Sequence, residues 1–152
     1  MTSLPNAATE YVTAMVGGQM FGLPLARVQD VFMPERLTRV PLASPDVAGV
    51  LNLRGRIVTA IDMRSRLGLP KREQGMPMMA VGVDLRGESY GLLIDSIGDV
   101  LKVASDSFDV NPVNMDVSLT RVSAGIHRLE GHLMVILDVE KVLDMGTEAL
   151  AA

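Results

Sequence analysis

Residues 21–32 (FGLPLARVQDVF) align without a gap on residues 90–101 (YGLLIDSIGDVL). Gly22 matches Gly91, Leu23 matches Leu92, Asp30 matches Asp99 and Val31 matches Val100, with apolar positions conserved in type between them. A second block follows in the same order. Ala48-Gly49-Val50-Leu51-Asn52-Leu53-Arg54-Gly55 aligns on Ala124-Gly125-Ile126-His127-Arg128-Leu129-Glu130-Gly131, and the match continues through Ile61-Asp62 on Leu137-Asp138 to Leu67 on Leu143. Two ordered blocks in one chain point to a duplicated unit, which restricts the fold to a pair of similar modules. The second module carries a longer insert, around Ser105 to Ser118.

The modules are mostly β. Val12–Val16 and Gln19–Leu23 are joined by Gly17-Gly18, Met79–Asp84 and Ser89–Ile94 by Arg86-Gly87, and Gly125–Leu129 and His132–Asp138 by Glu130-Gly131. Each is an apolar run, a glycine-bearing turn and a second apolar run, the pattern of a hairpin. Met63–Leu67, ended by Gly68 and Pro70, and Val139–Met145, ended by Gly146, read as short helices, with Asp62 and Asp138 as their N-caps. Leu69–Pro77, with two prolines and mixed charge, reads as the linker between the halves. Residues 1–10 and 146–152 are small and polar and are expected to be flexible ends around a body from 11 to 145, with halves of roughly 11–70 and 76–145. About five short strands per half avoid exposed edges best by closing into barrels.

A chain of 152 residues buries enough surface to fold without staples, and it has no cysteine to make a disulfide or a thiolate zinc site. The net charge of −4 and the five Phe and Tyr side chains argue against a nucleic-acid surface, which needs clustered cations interleaved with stacking aromatics. No apolar run of about 18 residues is present. No nucleophile, base and oxyanion constellation and no phosphate loop emerges, so no catalytic residue is assigned and no cofactor is expected. His127 and His132 flank a turn with Glu130 between them; exposed strand or turn positions explain them better than a metal site. The eleven methionines fit a core poor in aromatics, with Met33 and Met115 as the candidates for exposure. Arg54 and Glu130 occupy equivalent places before turn glycines yet carry opposite charge, which a purely structural turn would not require. What remains is a module that binds proteins through exposed apolar positions and a charged specificity residue. For Arg54, the bland alternatives are a solvated turn residue or an internal partner of Asp30 or Asp62.

Val28-Gln29-Asp30-Val31, the run Thr38-Arg39-Val40, then Gly49-Val50-Leu51-Asn52-Leu53-Arg54-Gly55-Arg56-Ile57, and Ile61-Asp62-Met63-Arg64 with Leu67 resemble the bacterial chemotaxis coupling family, CheW. The resemblance extends over Tyr90–Asp95, Asp99–Leu101 and the late strand Leu133–Asp138. Two positions depart from the family pattern: Thr59 stands where proline is common, affecting the strand's edge chemistry, and Asp30 where glutamate is common, shortening a carboxylate that the resemblance would turn toward a partner. The resemblance implies a single domain over 11–145 made of two intertwined SH3-like five-stranded β-barrel subdomains with short helices, with the exact sharing of strands left open. It implies a non-enzymatic cytoplasmic adaptor, recruited to inner-membrane arrays, that links the tips of methyl-accepting chemoreceptors to the regulatory domain of the histidine kinase CheA. A parallel, pilus-type or alternative-output pathway is the second implied setting. By similarity the receptor meets Val28, Asp30, Val31, Gly49 and Arg54, and the kinase meets Leu92, Ile94, Ser96 and Asp99. A helical receptor tip suits an apolar groove with charged rims, and an arginine offers it a planar five-donor fork.

Overall fold

The computed structural model describes residues 8–35, 37–39 and 45–144. Val40 of the Thr38–Val40 run and the C-terminal stretch 146–152 lie outside the described residues. In chain order the first repeat forms β1 (Ala8–Val16), β2 (Gln19–Pro24), β3 (Asp30–Phe32), β4 (Val47–Leu53), β5 (Arg56–Asp62) and α1 (Met63–Arg66). The second forms β6 (Met79–Leu85), β7 (Glu88–Ile94), β8 (Ser96–Ala104), a 3-10 turn (Ser105–Ser107), β9 (Phe108–Asp109), α2 (Val117–Thr120), β10 (Ser123–Leu129), β11 (His132–Leu137) and α3 (residues 139–144). All three hairpins form at the expected turns. The Gly17-Gly18 and Arg86-Gly87 turns have positive φ at both central residues, which matches the twist of the strands they join. Strand β1 starts at Ala8, earlier than the composition suggests, because Ala8–Glu10 pair with Lys102–Ala104 of β8.

The strands make two sheets, β8-β1-β2-β11-β10-β9 and β3-β6-β7-β5-β4. The repeats exchange strands. Each sheet takes its first hairpin from one repeat and its remaining main strands from the other, and the two are joined by parallel pairs, β2 with β11 and β5 with β7. Both sheets curl toward closure, and chain continuity carries it. Thr38, beyond β3, bridges Val50 at the far edge of its sheet, as β9, beyond β8, pairs with β10 at the far edge of the other. These are open SH3-like barrels. Gly49 and Gly125, equivalent in the repeat, both sit at φ 153° beside a register shift. A Cβ on Gly49 would stand 2.2 Å from the Thr38 carbonyl oxygen, so the glycine is what lets the closing segment reach β4. Thr59 lies between Val50 and Tyr90 on β5, an interior strand, so its departure from the family pattern is not at an edge.

The main core lies between the sheets and belongs to both: Phe21 and Leu23 of β2, Leu92 and Ile94 of β7, Ile126 of β10 and Leu137 of β11 meet there with Met63 and Leu143 of the helices. Asp62 caps α1 by accepting from Arg64 N (3.0 Å), and Asp138 caps α3 by accepting from Glu140 N (3.0 Å). Buried Arg66 of α1 donates to the Val142 and Lys141 carbonyls of α3 (3.1 and 3.0 Å), supplying partners that a short helix's last turn lacks. Met33 is exposed as expected, but Met115 packs against the core. His127 also differs from expectation. It is fully buried, because β10 is covered on both faces, by the shared core on one and by Tyr11, Ser107 and Phe108 on the other.

Candidate partner-binding surface

Strand β3 lies at one edge of its sheet, and the β4–β5 turn comes up beside it. Arg54 and Gly55 form a two-residue turn with φ 53° and 82°, and Asn52 Oδ1 accepts from Gly55 N at 2.9 Å. That turn aims the guanidinium of Arg54 at Asp30, with Nη1 3.2 Å from Oδ2. Of the sequence alternatives for Arg54, the internal partner is therefore Asp30. The Arg54 side chain is 78% exposed, so the pair contributes about 0–1 kcal/mol and leaves most of the guanidinium donors facing outward.

A cleft of about 160 Å³ runs beneath this pair, walled by Asp30, Phe32, Arg54, Arg56, Asp84 and Tyr90 among others. Arg56 donates to Ser89 Oγ, which donates to Asp84 Oδ1 at 3.0 Å, so the cleft floor is hydrogen-bonded before any partner arrives. Val31 on β3 and Met33 just beyond its end add exposed apolar surface next to the charges. Val28 is half-buried against the shared core. Gly49 is buried and offers no surface; the close approach it serves is the internal one to Thr38. Asp30, Val31 and Arg54 are thus gathered at one edge, with Val28 just before it, whereas Gly49 lies on β4 against Thr38.

The second set divides differently. Leu92 and Ile94 are fully buried in the shared core and cannot touch a partner. β7 is flanked by β6 and β5 and covered on both faces, so its apolar run is continuous rather than alternating. Ser96 is half-buried at the start of β8 and Asp99 is exposed. Asp99 and Val100, the repeat equivalents of Asp30 and Val31, lie on β8, the edge of the other sheet, as the first pair lies on β3. Thr13 Oγ1 donates to the Asp99 carbonyl (2.7 Å), fixing that edge to β1. The molecule therefore presents two related Asp-Val edges, one per sheet.

A third constellation escapes sequence reasoning. Asp95, just after β7, accepts from Arg64 Nε and Nη2 (2.9 and 2.7 Å), Arg72 Nη2 (2.9 Å) and Gly17 N (2.9 Å). The Arg64 hydrogen bonds hold its carboxyl well below the usual carboxylate range, against the opposing effect of burial. The same contact raises the Arg64 guanidinium above its ordinary value. This one carboxylate ties α1, the β1–β2 turn and the inter-repeat segment to the end of β7, so the segment expected to be a linker is anchored through Arg72. No local pattern marks partners 31 and 78 residues away. Among the described residues no cluster of three His, Asp or Glu side chains could hold a metal ion, and no helix is long and apolar enough to cross a membrane.

A sequence model of the CheW-like domain matches residues 10–146. The chemotaxis protein CheW of Bacillus subtilis is 28% identical over 148 residues, covering 95% of this chain and 92% of that protein. Protein PilI of Pseudomonas aeruginosa is 26% identical over 118 residues, covering 76% of this chain and 65% of that protein. Among solved structures, the scaffolding protein TtCheW of Thermoanaerobacter tengcongensis superimposes with a TM-score of 0.83 at 22% identity, covering 91% of this chain and 94% of that one. That likeness establishes a common fold.

Proposed function

The chain belongs to the CheW-like domain family, and from that premise we propose that it is a non-enzymatic adaptor coupling methyl-accepting chemoreceptors to the regulatory domain of the histidine kinase CheA. The observation that carries the reading is the family match over nearly the whole chain. The receptor tip docks at the β3 edge, where Val28, Val31 and the paired Asp30 and Arg54 offer an apolar strip with a charged rim, and Gly49 acts indirectly, by letting the Thr38 segment close on β4. The kinase docks at the β8 edge through Ser96 and Asp99, while Leu92 and Ile94 stay in the shared core and make no contact with it. An adaptor of this kind works in the cytoplasm, recruited to receptor arrays at the inner membrane. Likeness to PilI supports a second reading, the same adaptor role in a pilus-type pathway with its own receptors and kinase.

The test is a pull-down of wild type and Arg54→Glu against a receptor signalling-tip fragment and, separately, the kinase regulatory domain. Wild type is expected to bind both, and the variant to lose mainly the receptor while remaining folded, since reversing a charge on an exposed turn costs little stability. The double exchange Asp30→Arg with Arg54→Asp rebuilds the internal pair with reversed polarity. Receptor binding restored by the exchange would assign Arg54 to the pair alone. A folded wild type that binds neither partner overturns the chemotaxis reading, and binding to pilus-type partners instead establishes the second.

A further inference from the structure

Besides the shared core, each sheet has a small satellite cluster, and the repeat relates the two position by position. In one sheet the cluster contains Leu51, Val58, Ala60 and Ala80. In the other the corresponding positions hold His127, Met134, Ile136 and Tyr11. Leu51 is 4% exposed and fills its place with an aliphatic side chain. The architecture therefore does not itself require an imidazole at the position of His127.

Both ring nitrogens of His127 are bound. Ser107 Oγ donates its one proton to the Ala104 carbonyl (2.7 Å), so toward Nδ1, at 3.0 Å, it is the acceptor. Nε2 then accepts from the Tyr11 hydroxyl at 3.1 Å. The neutral Nδ1–H tautomer is the form that this hydrogen-bond network assigns. Tyr11 and Phe108 also lie edge-on to the ring, with centroids 5.2 and 5.5 Å away. Ser107 and Phe108 belong to the segment that closes the sheet beyond β8. Its backbone is paired to β10 only at Asp109 with Ile126 and Phe108 with His127. The side chain of His127 is thus the buried tie between residues 105–109 and the sheet, beside the exposed Arg128–Asp109 pair, and Ser123 Oγ donates to Asn111 Oδ1 (2.6 Å) just beyond.

We propose that His127 is a proton-operated latch: neutral, it holds residues 105–109 on the sheet, and its protonation releases that segment and opens the barrel edge that continues β8. A proton on Nε2 turns the acceptor of the Tyr11 hydrogen bond into a donor aimed at it. It also places a cation in a dry site. The ionisable groups on the elements packed there are Glu10 and Tyr11 on β1, Asp99 and Lys102 on β8, Asp106 on the 3-10 turn, Asp109 on β9, Arg128 on β10 with Glu130 just after it, and His132 on β11; β2 has none. Asp109 is committed to Arg128 at 3.4 Å, and among the described residues no carboxylate forms an ion pair with the ring. Burial raises the Tyr11 phenol and keeps it neutral, and it pushes the imidazole below its ordinary value, with a contact to Ser107 acting the other way. The charged ring is favoured only once the segment lifts and water reaches it. A freed imidazole titrates near pH 6.5, so lowering the pH from about 7.5 to about 5 favours the open form by up to about thirty-fold.

The test is amide hydrogen exchange across residues 104–110 between about pH 7.5 and about pH 5, corrected for intrinsic exchange chemistry, with imidazole nitrogen NMR on the same samples. Expected are the Nδ1–H tautomer at the upper pH and segment opening that rises by up to about thirty-fold on acidification, while β5 and β7 amides stay constant. His127→Leu, which installs the residue of the first repeat, abolishes the rise, and His132→Gln retains it. The latch is overturned by an imidazole that protonates with the segment still closed, or by a rise that persists in His127→Leu. If that variant fails to fold, wild type decides: opening that follows protonation of His127 upholds the latch, and opening independent of it overturns it.

Discussion

At the residue scale the contrast between the Arg54–Asp30 pair and the arginines gathered on Asp95 shows how burial sets the worth of an ion pair. Arg54 and Asp30 meet at 3.2 Å with the arginine mostly in water, so the pair is weak and its donors remain available. Asp95 is different. With 18% of its side chain exposed it takes two arginines and a backbone amide, and removing its charge leaves both guanidiniums without their counter-ion. Asp95→Asn is therefore expected to lower stability by about 3 kcal/mol at neutral pH, measured by urea unfolding. The sign of the pH effect follows from the depressed folded value. Ionised Asp95 contributes fully above the ordinary carboxylate value of about 4, and the contribution is lost as pH falls from there toward the lower folded value. Wild type should lose stability below about pH 4 more steeply than Asp95→Asn; equal slopes would show that the hub does not contribute as its geometry implies. Asp30 and Arg54 were legible because they sit in short motifs. Asp95 was not, because its partners come from three distant segments, and His127 looked like a turn residue because the cover over its strand comes from β1 and the insert.

At the scale of elements, what could be read in the sequence was what local chemistry decides. Paired apolar runs around a glycine turn gave the three hairpins, and an aspartate after an apolar strand gave both helix caps. β9 and the Thr38 bridge carry no such signal, since each is one or two residues of pairing made possible by a glycine on the facing strand. The glycines consequently differ in what they contribute. Gly55 has φ 82° but open space where a Cβ would go, so Gly55→Ala should cost about 1 kcal/mol of backbone strain. Gly49→Ala adds a methyl 2.2 Å from a backbone oxygen and must push the closing segment off β4, at a cost of about 3 kcal/mol or more. Thermal unfolding of the two variants side by side checks this order, and a Gly49→Ala protein as stable as Gly55→Ala would mean that the Thr38 segment does not close on β4 in solution.

For the whole molecule, the repeat announced two similar modules, but it could not announce that they trade strands, because the gapless blocks record what each segment resembles and not what it pairs with. The exchange has a thermodynamic consequence. With each sheet drawing main strands from both repeats, and one core lined by both sheets, neither half of the chain can complete a sheet or bury its apolar face by itself. Unfolding should then be one cooperative event rather than two. The chain supplies its own probes: there is no tryptophan, and of the two tyrosines Tyr11 lies in one sheet and Tyr90 in the other. Tyr11→Phe and Tyr90→Phe each leave a single phenol reporting on one sheet. Denaturant curves from the remaining tyrosine, referred to each variant's own far-ultraviolet circular dichroism curve, should coincide in both proteins. A tyrosine transition separated from the circular dichroism transition in either variant would show that the sheets melt independently, and that the shared core and the Asp95 hub do not bind them into one unit.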